Sequence, residues 1–153
     1  MKEKVITLLN KARSAELGAI AQYMINHYEL EDQDFGKLSS RIKETAIVEM
    51  KHAEKLAERI LFLGGVPTSK ADVEPKKGQS IPDILATDEA LERKAVAMYN
   101  EAASLCADFR DQKSRDLFEN LVADEEGHLS LFENLQSHIE KLGPSYLATL
   151  TGK

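Results

Sequence analysis

The sequence repeats itself at a fixed interval, and the positions that repeat carry ionisable groups. Glu16, Glu49 and His52 recur 76 residues later as Glu92, Glu125 and His128, and Tyr23 recurs at the same offset as Tyr99. The two local motifs are Glu49-Met50-Lys51-His52 and Glu125-Glu126-Gly127-His128. Residues three apart share one face of a helix, so each Glu-x-x-His presents a carboxylate and an imidazole side by side, as a metal-ligand pair does. A lone pair of this kind is more often a solvated helix face than a site. A shared offset that joins both motifs, the two outlying glutamates and the two tyrosines is not explained that way.

Every one of these residues falls inside an apolar stripe of helical period. The first helix, about residues 2–31, carries Leu9, Ala12, Ala19, Tyr23 and Met24, with Glu16 among them. A second helix over about 35–63, with Asp34 as its expected N-cap, reads Leu38, Ile42, Thr45, Glu49, His52 and Leu56, and Gly64-Gly65 ends it. A third, about 82–109, has Leu85, Glu92, Ala95, Tyr99 and Ala102. A fourth, about 112–142, has Phe118, Leu121, Glu125, His128 and Phe132 and stops at Gly143-Pro144. Ser145 is expected to cap a short fifth helix to about residue 151, too short to be stable alone, whose Tyr146, Leu147 and Leu150 must pack on the bundle or on a partner. The chain thus reads as one all-α domain over residues 1–153.

Between residues 64 and 81 lie Pro67, Pro75 and Lys76-Lys77-Gly78, without periodicity. About 18 residues reach roughly 59 Å when extended, and a 29-residue helix is roughly 43 Å long, so this loop is long enough to return the chain along the bundle. Helices two and three then run parallel, which is the four-helix topology with a single long crossover.

Composition excludes several classes. A net charge of −6 and a pI near 5.3 argue against a nucleic-acid or anionic-membrane surface and suit a protein that attracts cations. Cys106 is the only cysteine, so neither an internal disulfide nor a thiolate zinc site is available, and a reduced core thiol in a cytoplasmic protein is the favoured reading. The apolar run Ile60–Leu63 is far too short for a bilayer, and Met1-Lys2-Glu3-Lys4 leads straight into an amphipathic pattern with no secretory signal.

Four carboxylates in one core are costly unless their charge is balanced. Two divalent cations balance it, and two neutral imidazoles complete the donor set. Without thiolates, that set suits iron or manganese, though zinc also binds such ligands. In the simplest arrangement Glu49 and Glu125 bridge two metals, Glu16 and His52 terminate one, and Glu92 and His128 terminate the other. Tyr23 and Tyr99 are placed to donate hydrogen bonds to carboxylates across the bundle, with plain core packing as the alternative of equal weight. Asp124 is read either as an acid that orients an imidazole or as an exposed one. His27 and His138 lie outside the repeat and read as packing or surface histidines.

Over essentially its full length the chain resembles the bacterioferritins. Glu16, Glu49-x-x-His52, Glu92 and Glu125-x-x-His128 match that family's ferroxidase ligands, and Asp124-Glu125-Glu126-Gly127-His128 its fourth-helix motif. The resemblance implies a ferritin-like bundle in which twofold dimers assemble into a cage of twenty-four subunits. It implies oxidation of Fe(II) by O2 or H2O2 at a di-iron centre, an Fe(III) mineral stored inside, and a ferredoxin-type reductant for release. Met50 lies about 100° around the helix from Glu49, away from the metal-facing stripe. It matches the family methionine that, with its twofold mate, ligates a b-type haem.

Some positions depart from the family pattern. Val48 and Glu44 stand where some members carry aspartate and histidine at an inner-surface iron site, and Leu56 and Leu131 where some carry oxidisable aromatics. Two other readings compete with storage: a rubrerythrin-like di-iron peroxidase, against which the missing cysteine pairs weigh, and a haem-binding structural subunit of a mixed cage, against which the intact ligand set weighs.

Overall fold

The structure, a computed structural model, describes all 153 residues. The helices are α1 (Lys2–Asp32), α2 (Gly36–Phe62), α3 (Ile81–Asp108), α4 (Gln112–Leu142) and the short α5 (Pro144–Ala148). α1 pairs with α2 and α3 with α4, while α1 against α3 and α2 against α4 close the bundle. Gly65 lies over Ile6, so α2 ends beside the start of α1, and Gly78 reaches Glu29, so the crossover ends beside the end of α1. α2 and α3 therefore run parallel, as the length of residues 63–80 requires.

The crossover is laced to one face of α1. Asn10 bonds both Val66 O (3.0 Å) and Thr68 N (2.8 Å); Arg13 donates to Thr68 O (2.8 Å) and to Ala53 O (2.6 Å). Further along, Ser14 O accepts from Asp72 N, Gln22 exchanges two bonds with the Lys76 backbone, and Glu29 accepts from Gly78 N. These partners, spread along α1 from Asn10 to Glu29, let one helix face satisfy the polar backbone of a long irregular segment. Gly18 sits in this face because a Cβ there would meet Asp72 Oδ1 at 2.3 Å.

Helix ends differ from the expectation in two places. Asp34 does not cap α2; it has φ +66° and closes α1, with Phe35 N bonding back to Leu30 O at 2.9 Å. Gly64 (φ +86°) closes α2 and Arg110 (φ +59°) closes α3 in the same manner, with Gly65 N on Ile60 O and Asp111 N on Cys106 O. Only Gly64 announces itself in the sequence, since aspartate and arginine adopt this conformation at a cost that glycine does not bear. The second correction concerns the tail. Ser145 is not a cap: Gly143 (φ 59°, ψ −139°) occupies the N-cap, and the helix that follows is shorter than predicted. Ser80 and Asp111 do cap α3 and α4, accepting from Asp83 N and Ser114 N.

The tail packs on its own bundle. Leu150 is buried among Leu38, Ile42 and Leu135, Leu150 O accepts from Leu38 N, and Gly152 N donates to Asp34 O. The tail thereby supplies the N-terminus of α2 with an acceptor that its side chains do not. Gly36 is required for this approach, because a Cβ there would meet Gly152 O at 2.0 Å.

The apolar interior is split into two clusters. One holds Val5, Leu9, Leu56, Ile60, Phe118 and Cys106, whose buried thiol is pushed up to about 11 by burial. The other holds Leu30, Leu38, Ile42, Ile84, Phe132 and Leu135. Between them lies a layer of ionisable side chains.

Replacing Gly36 by alanine should release the tail and cost about 1–3 kcal/mol, read as a fall in Tm with new protease cleavage near residue 150. Gly127 lies in mid-helix with nothing within 4 Å of an added Cβ, so Gly127→Ala should instead stabilise by about 0.5–1 kcal/mol. Equal effects at the two positions would contradict this account.

Candidate metal centre

Each helix of the bundle contributes to the layer between the two apolar clusters. Glu16 comes from α1, Glu49 and His52 from α2, Glu92 from α3, and Glu125 and His128 from α4. The four glutamates and His52 are almost completely buried, and His128 retains 15% of its side-chain exposure. Their ligating atoms fall into two groups within 4.8 Å of one another: Glu16, Glu49, His52 and Glu125, and Glu49, Glu92, Glu125 and His128. Glu49 and Glu125 belong to both, as two bridging ligands would.

The imidazoles face inward through Nδ1. His52 Nδ1 lies 3.2 Å from Glu125, 3.4 Å from Glu49 and 3.7 Å from Glu16. His128 Nδ1 lies 3.3 Å from Glu49, 3.5 Å from Glu92 and 3.6 Å from Glu125. None of these approaches is a hydrogen bond: Glu16 Oε2, Glu49 Oε1, Glu92 Oε2, Glu125 Oε1 and both Nδ1 atoms are buried with no partner. Six orphaned donor atoms converging on one place are expensive in a folded protein. A pair of divalent cations satisfies all six, so the donor set fits two metals of the kind that prefer oxygen and imidazole.

The two tyrosines act crosswise. Tyr23 on α1 donates to Glu92 on α3, and Tyr99 on α3 donates to Glu16 on α1. Burial, then the Glu92 and Glu16 charges respectively, hold both phenols well above their ordinary value, so they remain donors. Phe132 backs Tyr23 at 5.8 Å and Phe118 backs Tyr99 at 6.0 Å.

Asp124 takes the first of its two readings although its side chain is 53% exposed: its Oδ2 lies 2.8 Å from His52 Nε2. That contact fixes the ring and turns Nδ1 toward the carboxylates. The residue one repeat earlier is Val48, so His128 has no such anchor. His27 and His138 pack as expected, His27 with Ser39 at 2.5 Å and His138 edge-on to Tyr146.

Sequence reasoning missed a buried polar chain beside Glu92. Asp88 is fully buried, and the Asn26 amide in its better-bonded orientation donates to its two oxygens at 2.9 and 3.1 Å. Gln22 continues the chain to the Lys76 backbone. The repeat equivalents of Asp88, Asn26 and Gln22 are Ala12, Ala102 and Met98, so the offset that revealed the ligands carried no signal here.

Met50 lies on the outer face of α2, 41% exposed, one turn from the exposed Ile47.

Fold and centre together define a ferritin-like bundle with a buried carboxylate-histidine cluster that could hold two metals. Residues 6–142 match the family model "Ferritin-like domain". The chain is 44% identical to the bacterioferritin of Desulfovibrio desulfuricans, over 99% of this chain and 84% of that protein, and 39% identical to that of Rhodobacter capsulatus, over 96% and 91%. A D. desulfuricans bacterioferritin structure, described as showing its diiron site in different catalytic states, superposes with a TM-score of 0.97 at 43% identity over 99% of this chain and 89% of that one. An R. capsulatus structure, described with a metal-free dinuclear site and heme iron in a crystallographic special position, superposes at 0.93 and 39% identity over 99% and 94%. The chain belongs to the bacterioferritins.

Without metal, burial and then the Glu16 and Glu125 carboxylates raise Glu49 well above its ordinary value of 4.5, and burial raises Glu125 too. Burial pulls His52 down, but its contacts with Glu125, Glu16 and Asp124 outweigh that and lift it from 6.5 to about 10. All three groups bind protons more tightly folded than unfolded. Their stabilisation is therefore full below the unfolded values and is lost as pH rises through the folded ones. A divalent cation competes for the same atoms and binds better as pH rises. The Tm difference between Co(II)-loaded and metal-free protein should widen from pH 5.5 to pH 8; a constant or shrinking difference would contradict it.

Proposed function

We propose that this chain is an iron-storage ferroxidase of the bacterioferritin type. The observation that carries the reading is the convergence of six buried, unpartnered oxygen and nitrogen atoms from four helices. Two Fe(II) ions are the substrate. Glu16 and His52 hold one, Glu92 and His128 the other, and Glu49 and Glu125 lie between them. Four carboxylates neutralise two divalent cations, while oxidation leaves two uncompensated positive charges, which favours loss of protons from bound water and departure of the ferric product. The electrons pass to O2 or H2O2. Tyr23 and Tyr99 hold Glu92 and Glu16 in position, and Asp124 holds His52.

The ferric product accumulates as mineral inside a cage of twenty-four identical subunits built from twofold dimers, and a ferredoxin-type reductant releases it. The curated relatives support this reading at the level of the family. No helix is long and apolar enough to cross a membrane, and we place the protein in the cytoplasm. Met50, half-exposed and away from the metal site, is the proposed axial ligand of a b-type haem shared across the twofold contact. The heme iron of the R. capsulatus relative supports that assignment.

The test adds a large excess of Fe(II) in air and follows iron and protein through a sizing column. Ferric iron should co-elute with a cage-sized particle far in excess of two per chain, and Glu49→Ala with Glu125→Ala should slow oxidation by about 100-fold or more. Iron that stops at about two per chain on a small particle would leave a di-iron redox enzyme and remove storage. For haem, Met50→Leu should abolish the bis-methionine spectrum while leaving ferroxidase rates unchanged; retention of that spectrum would remove Met50 as the ligand.

A further inference from the structure

The metal layer is sealed above and below by the apolar clusters, so an ion must reach it from the side, and the two sides differ. On the α2–α4 side a surface depression of about 380 Å³ is floored by His52 and His128 and rimmed by Lys51 and Lys55. The two imidazole rings stand between it and the carboxylates, one of them tied to Asp124. On the α1–α3 side no imidazole intervenes, and the Tyr23 and Tyr99 rings form part of the wall, bonded to Glu92 and Glu16. A cavity of about 20 Å³ is lined by all four glutamates, with the small side chains Ala15, Ala19 and Ala95 leaving the seam open. Among its walls are Glu16 and Glu92, whose buried Oε2 atoms have no partner.

That cavity and a surface groove of about 510 Å³ share Asp72, Lys94 and Met98. Asp72 belongs to the crossover. Its amide is fixed on Ser14 O at 3.1 Å and its carboxylate lies against Gly18, with Oδ2 4.0 Å from Lys94 Nζ. Lys94 is 62% exposed at its side chain, so this ion pair is weakly held and screened by solvent.

We propose that a divalent cation reaches the centre through the α1–α3 seam, with Asp72 as the last carboxylate before the ligands and Lys94 as a latch that occupies Asp72 until the metal displaces it. An acid at the mouth raises the local cation concentration over a narrow, low-dielectric passage. The lysine keeps that acid from becoming a resting site, and once an ion has passed inward the latch re-forms. The proposal rests on the reading of the six residues as a two-metal site, which it extends with a route and a gate.

The experiment mixes metal-free protein with Co(II) in a stopped-flow instrument and follows the visible absorbance, so that arrival is separated from oxidation. Asp72→Asn should slow arrival by about tenfold with an unchanged endpoint of two Co(II) per chain, and Lys94→Gln should quicken it and lessen its dependence on salt. Ala97→Trp, which obstructs only the outer groove, should slow it too, while Lys51→Gln on the opposite face should not. Unchanged rates in Asp72→Asn and Ala97→Trp would overturn the gate while leaving the two-metal site intact, as would a change confined to Lys51→Gln. Failure of the unmodified chain to take up two Co(II) would overturn the site reading and the route together.

Discussion

Four buried carboxylates facing two imidazoles, one buried and one partly buried, are the constraint on which the rest of this bundle depends. An ordinary four-helix bundle runs its apolar core from end to end, but here the core is divided into two clusters by a layer that is unstable unless charge is balanced within it. The two halves then have to be held in register by other means. Tyr23 and Tyr99 do part of this, since each carries an aromatic body packed on a phenylalanine in one cluster and a hydroxyl bonded to a carboxylate in the layer. They join apolar packing to the polar layer, and each joins α1 to α3.

That same layer explains why so much was legible in the sequence. A glutamate inside an apolar stripe has no stabilising reason to be there, so its position is informative, and the 76-residue offset multiplied the information by repeating it. The shared membership of Glu49 and Glu125 in both ligand groups and the crosswise tyrosine bonds follow from symmetry between two helix pairs. What the offset did not repeat was not legible. Asp34 and Arg110 end helices in a left-handed conformation chosen by tertiary packing rather than by residue type. Likewise, α2 lacks a side-chain cap because the C-terminal tail, far away in sequence, supplies the acceptor. The Asp88–Asn26–Gln22 chain replaces what the other half of the repeat fills with alanine and methionine, and no periodic argument finds a feature that occurs once.

The crossover was legible only as a length. The need to bring α3 back parallel to α2 sets that length, but not the course of the segment, which follows from the row of Asn10, Arg13, Ser14, Gln22 and Glu29 on α1. This course has a chemical result that topology alone does not require. A loop laid along α1 runs beside the seam with α3 and places Asp72 in the wall shared by the inner cavity and the outer groove. At Gly18 loop and helix approach too closely for a Cβ, and it is there that Asp72 is seated.

The departure from symmetry at Asp124 and Val48 makes the two halves of the centre inequivalent. His52 is buried and bonded through Nε2 to Asp124, so turning it away breaks a charged hydrogen bond. His128 has no acid in the matching place and is the more exposed of the two, 15% against 2% at the side chain. A ligand oriented by a carboxylate is more basic and better preorganised than one that is not. In the proposed two-metal site, the half built on Glu16 and His52 would therefore hold its metal the more tightly, and the half built on Glu92 and His128 would exchange its metal more readily. The inequivalence originates in one substitution within the repeat, at a residue that is not itself a ligand.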